Sequence, residues 1–155
     1  MTPSEFADII QLHKEDIVNA WADAVRDDPR IHSEGALTEY ALRNHVPAII
    51  DEICEMLREG VTPRASNTRE ARVHTYMRYR QGYRGRELAT ELSQLRMAIL
   101  DVVTESLTEA GLGVKPFIQL SKTIHSYIDE EMRHAFSIYT EAEREAQSPP
   151  AAEAN

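Results

Sequence analysis

The sequence predicts an all-α protein: a bundle of about five helices ending in one long C-terminal helix. Three observations carry this. Apolar residues recur at steps of three and four, the period of one helix face. No stretch alternates residue by residue as a half-buried strand would. Glycine and proline fall mostly between the periodic runs, and Pro47 is the one that interrupts a run.

The chain has 155 residues and 42% hydrophobic content, enough for one modest core. One domain is expected over 1–145, with 146–155 as a flexible linker or tail because QSPPAAEAN has linker composition. A net charge of −9 argues against duplex nucleic acid and anionic membrane surfaces as partners. No apolar run approaches the roughly 18 residues of a membrane span, and the N-terminus lacks a secretion signal. The single cysteine, Cys54, allows no intrachain disulfide and suits a reducing, cytoplasmic setting.

Thr2-Pro3-Ser4-Glu5 predicts a capped helix start, and Phe6, Ile10, Ile17, Trp21 and Ala24 continue one stripe to Asp28-Pro29. A short turn through about Leu42 precedes a helix from near Asn44, with Pro47 in its first turn; a continuous kinked helix is the alternative. Gly60 ends that helix. Asn67, with Glu70 three residues on, predicts the cap of a third helix running to about Gln81. Gly82 and Gly85 shape a sharp turn. The fourth helix, Arg86–Ala110, places Leu88, Leu92, Leu95, Ile99, Val102 and Ser106 in register, and Gly111-Leu112-Gly113 stops it. The fifth, about Val114–Arg144, would be about 45 Å long. Cys54 inside an apolar helix reads as a buried thiol.

The segment His74–Arg96 draws the most interest. On the third helix, Ala71, His74, Arg78, Gln81 and Gly82 share one side, while Tyr76, Tyr79, Tyr83 and Arg72 share the other. Neither side is plainly apolar, so this helix is contacted on both sides or lines a cavity. The glycine turn would fold Glu91 back towards Arg78 or His74. Two readings follow. One is a buried clasp in which Arg78 pairs with Glu91 and His74 satisfies a carbonyl. The other is a polar pocket in which His74 and Arg78 receive an anionic or hydrogen-bonding ligand, with His74 conferring pH sensitivity. Tyr76, Tyr79 and Trp21 are candidates for lining such a cavity, and the tyrosines and arginines of 76–80 allow cation–π contacts.

The spacing His74-x3-Arg78-x3-Gly82-Tyr83, followed by Leu88, Glu91 and Leu95-Arg96, resembles the N-terminal domain family of RsbT co-antagonist proteins, the RsbR-type components of stressosomes. Similar domains stand at the front of bacterial sensor histidine kinases. The likeness runs from about Trp21 through Val103. It implies a non-catalytic, cytoplasmic sensory input domain for signal transduction in stress responses. Such a domain is usually a homodimer, and its last helix joins it to an output domain or partner signalling protein. The better-known relatives are globin-like without haem. No output segment follows residue 145, and the tail reads as a linker leading onward.

Other classes find less support. Glu131-x2-His134 matches one half of a di-iron carboxylate site, but no second such pair exists. His125 and Asp129, with His13 or His45, offer a metal set that more commonly decorates a solvated face, so no metal is expected. Haem ligated by His13, His74 or His125 is an alternative without a sequence signature, so no cofactor is expected. The remaining alternative is a helical docking module that binds a partner protein without any small ligand.

Overall fold

The computed structural model describes residues 1–110 and 113–148 and is all-helical there. Its elements are α1 (Pro3–Leu12), α2 (Lys14–Asp27), a 3-10 turn (Ser33–Ala36), α3 (Glu39–Arg43), α4 (Val46–Glu59), α5 (Arg69–Arg80), α6 (Gly85–Ala110) and α7 (Val114–Gln147). Each of the five expected helices is present; the first is broken in two, and the expected turn before the second contains the short helix α3. The expected start is formed as a full capping box: the Glu5 amide donates to Thr2 Oγ1 at 3.3 Å, and the Thr2 amide donates to Glu5 Oε2 at 2.6 Å.

The first expected helix divides at His13, whose φ of −101° and ψ of 16° leave the helical region. Backbone hydrogen bonds into and out of His13 persist, from His13 N to Ile9 O and from Ile17 N to His13 O, so the break is a kink. The second region follows the expected order of short turn, then helix. His45 adopts φ +73°, which separates α3 from α4 and excludes a continuous kinked helix, and Pro47 lies in the first turn of α4. Gly60 closes α4 with φ +66°.

The expected Asn67 cap is not formed. Asn67 instead folds its own loop, accepting from the Arg64 amide at 2.7 Å and donating to Thr62 O. Thr68 stands at the cap position but turns its hydroxyl away, donating to Arg64 O at 2.8 Å, and Glu52 of α4 accepts from the Glu70 amide in its place. An acceptor from a neighbouring helix has replaced the local cap.

The core gathers where α1, α2, α4, α6 and α7 converge, with Ile10, Trp21, Ile49, Ile53, Leu92 and Ile128 fully buried. Helices α6 and α7 form an antiparallel hairpin: Gly85 meets the Tyr139 ring and Arg96 approaches Asp129 at 3.9 Å, so the numbering runs oppositely on the two. Beyond Ile99 the buried stripe of α6 continues through Val103 and Leu107, whereas Val102 and Ser106 are only half-buried. The expected register slips there because a straight helix drifts from a strict heptad. At 34 residues, α7 is about 50 Å long. The expected stop at Gly111-Leu112 and most of the expected 146–155 tail lie outside the described residues.

Cys54 is buried, donates from Sγ to Ala7 O at 3.6 Å, and its thiol is pushed up to about 11, chiefly by burial. Among the described residues no helix is long and apolar enough to cross a membrane.

Candidate functional site

Helix α5 has an unusual inward stripe. Ala71, His74, Thr75 and Arg78, at the i, i+3, i+4, i+7 spacing of a core-facing helix, are buried. Polar side chains stand where leucines would be expected, so they must find partners on the helices packed against them. Those helices supply partners from within their own apolar stripes. Glu91 lies between Leu88 and Leu92 on α6, and Glu131 lies between Ile128 and Ala135 on α7; both are buried.

Arg78 is the structural hub. Its Nε donates to Glu91 Oε1 at 2.8 Å and Oε2 at 3.1 Å. One terminal nitrogen donates to Gln81 Oε1 at 2.8 Å and Ala41 O at 3.2 Å, and the other donates to Leu42 O. The guanidinium therefore also satisfies carbonyls at the C-terminal end of α3, where a cation is electrostatically favoured. Its flat face lies over the Tyr83 ring, 5.1 Å from the centroid. The expected cation–π contact thus exists, but with buried Tyr83 in the turn rather than with the tyrosines of α5. Gly82, at φ +85°, lets the chain reverse so that Tyr83 slides under the guanidinium.

His74 bridges two carboxylates rather than a carbonyl. Its Nε2 meets Glu91 Oε1 at 2.8 Å and its Nδ1 meets Glu131 Oε1 at 2.8 Å. When the ring is protonated, the state that its raised pKa favours near neutrality, both nitrogens donate to these carboxyl groups. Burial alone works against that charge. The hydrogen bonds to Glu131 and Glu91, together with their charges, outweigh it and raise the pKa to about 9. Two basic groups thus face two carboxyl groups inside the buried cluster.

The two carboxylates differ. Burial opposes ionisation of Glu91, but His74 and Arg78 together hold its pKa below the usual value. Burial dominates at Glu131, which lacks the guanidinium and feels Glu91 nearby, so its pKa is raised. Thr75 Oγ1 donates to Glu131 Oε1 at 3.3 Å, while among the described residues the buried Oε2 has no hydrogen-bond partner.

Of the residues singled out from sequence, His74, Arg78, Glu91 and Gly82 come together here. Trp21 is fully buried and supports the cluster from α2, its Nε1 donating to the Glu91 carbonyl at 3.2 Å. Tyr76 and Tyr79 do not join: they are 51% and 36% exposed, and Tyr79 packs edge-on against Tyr139. Glu131 is the residue that sequence reasoning missed in this role, having weighed it only beside His134. Its signal was an acid inside the α7 stripe at Ile124, Ile128 and Ala135.

A second missed acid is Glu87. It accepts from the amides of His32, Ser33 and Arg84 and from the Ser33 hydroxyl, all within 3.0 Å. Burial opposes its charge, but those donors overcome it and hold the pKa at about 2. His13 faces Asp16 and His125 is exposed; among the described residues no three His, Cys, Asp or Glu side chains are placed to hold a metal ion.

The structure is thus an all-helical bundle with a buried cluster of His74, Arg78, Glu91 and Glu131 joining α5, α6 and α7. The family described as RsbT co-antagonist protein rsbRD N-terminal domain matches residues 15–153, and the chain belongs to that family. No curated protein and no solved structure matches the chain.

Proposed function

We propose that this chain is a cytoplasmic, non-catalytic sensory input domain, and that it relays its state through α7 to an output domain or partner signalling protein of the stressosome or sensor-kinase type. The observation that carries this reading is the His74 bridge. One imidazolium joins Glu91 on α6 to Glu131 on α7, so the position of the long helix depends on a contact that a signal can make or break. The reading requires no haem or metal. Its test is hydrogen exchange along α7 together with output activity when the domain stands ahead of its output partner. His74→Gln should loosen α7 and change output while the rest of the bundle stays protected. Unchanged exchange and unchanged output in that variant overturn the relay.

We further propose that the domain works as a homodimer joined through α6 and α7. A groove of about 790 Å³ between them is lined by Leu88, Leu92, Met132, Phe136 and Tyr139, and Phe136 is 79% exposed. Large exposed apolar surface of this kind marks association sites. Phe136→Glu should convert the dimer to a monomer in light scattering without lowering helicity. A wild-type chain that is monomeric at high concentration, yet still captures its output partner, favours the docking-module alternative.

A further inference from the structure

We propose that a second pocket, at the end of the bundle where α1, α4 and the start of α7 meet, binds a small amphipathic anion: an apolar acyl or aryl body carrying one carboxylate. The pocket has a volume of about 540 Å³, within the range of small-molecule sites. Its floor is the edge of the core, with Phe6, Met56, Leu57 and Leu120 all buried. Its walls include Ile118 and Val61, which stay 47% and 39% exposed and would be covered by a ligand's apolar body.

The charge around this pocket runs against the rest of the chain. The protein carries 26 acidic and 17 basic residues, yet among the described residues no acidic side chain lines the pocket, whereas Lys115 and Lys122 both do. They are two of only three lysines in the sequence. The third, Lys14, is paired with Asp51 at 2.9 Å, but among the described residues neither Lys115 nor Lys122 has an ion-pair partner. Lys115, Ile118, Lys122 and Ser126 fall on one face of α7, at steps of three and four, so a single helix presents both the cations and part of the apolar wall. Gln119, Thr123 and Ser126 add hydrogen-bonding groups at the same face. An apolar cleft with unpaired ammonium groups at its edge complements a ligand that is apolar at one end and anionic at the other. A neutral apolar molecule leaves the lysines unused, and a cation is repelled.

The binding claim stands on the pocket alone. That occupancy would bias the relay rests on the function proposed above, because α7 carries both this face and Glu131. The test is calorimetric titration of the full chain with three probes sharing one tail, decanoate, decanol and decyltrimethylammonium, each below its micellar concentration. Decanoate should bind saturably at one site, decanol more weakly, and the cation not at all. Replacing both lysines, Lys115→Gln with Lys122→Gln, should weaken decanoate roughly fivefold and leave decanol unchanged. Raised salt should weaken decanoate alone. Ile118→Trp, at an exposed position that can fill the pocket, should abolish binding of both while circular dichroism stays parental. Absent decanoate binding, equal binding of decanoate and decanol, or a double-lysine variant that binds decanoate as the parent does would each overturn the site. Sedimentation with anionic phospholipid vesicles in the absence of saturable decanoate binding would overturn it as well. Decanoate binding with intact dependence on the lysines, but no change in output, would leave the site standing and remove the relay.

Discussion

Arg78, His74, Glu91 and Glu131 depend on one another for charge and for hydrogen bonds, so deleting any one leaves a buried group without its partner. Arg78→Ala removes the second cation from Glu91 and exposes two α3 carbonyls to an empty cavity. Breaking a buried pair from one side costs roughly 3–5 kcal/mol, and urea denaturation of Arg78→Ala should report a loss of that order. Arg78→Lys should recover only part, since an ammonium cannot reproduce the fork that spans Glu91, Gln81 and two carbonyls. His74 predicts a pH dependence whose sign follows from its protons. The folded ring holds its proton up to about 9, against an ordinary value of 6.5, so the folded state binds it more tightly than the unfolded one. Its contribution is whole below about 6.5 and lost as pH rises through about 9. Melting temperature should therefore fall over that alkaline window in the parent, and His74→Gln should flatten the fall while lowering stability at neutral pH.

At the scale of elements, the turn between α5 and α6 sets the cluster's geometry. Gly82 has no Cβ to meet the backbone at φ +85°, and open space surrounds it, so Gly82→Ala should cost about 1 kcal/mol through backbone strain alone. A larger loss, read from thermal denaturation, would mean that Tyr83 had left the guanidinium. The pairing of Arg78 with Glu91 was legible in the sequence because both residues flank one short glycine turn. Glu131 was not legible as their partner, because its contact with His74 joins residues 57 apart and depends on how α7 packs. The anchoring of Glu87 was hidden for a related reason: three of its donors come from residues 32 and 33, brought over by the 3-10 turn. The kink at His13 carries neither proline nor glycine, so local chemistry gave no sign of it. The Asn67 cap failed because a loop carbonyl and a loop amide competed for the same side chain.

For the whole molecule, acid and alkali act through different groups. Glu87 and Glu91 have folded pKa values below their ordinary ones, so their stabilisation is present above about 4.5 and lost as pH falls through the lower folded values. Asp28, held low by Arg30 and bonded to Gln94 of α6 at 2.8 Å, acts in the same direction. With His74 limiting the alkaline side, stability measured across pH should form a plateau near neutrality with a shoulder on each side. Loss of the alkaline shoulder in His74→Gln, with the acid one retained, would separate the two causes. The helical class was legible across the whole molecule because apolar period and breakers agree along most of the chain.

The imidazole is pinned at 2.8 Å on both sides, but its two anchors differ: Glu91 is shared with Arg78, while the second oxygen of Glu131 is buried with no hydrogen-bond partner among the described residues. Burial raises the pKa of the α7 carboxyl while His74 and Arg78 lower that of its α6 counterpart, so on acidification the α7 group takes up its proton first. A raised pKa means that the folded state favours this proton, so an infrared band of a neutral carboxylic acid, absent in Glu131→Gln, should appear while the helices are still folded.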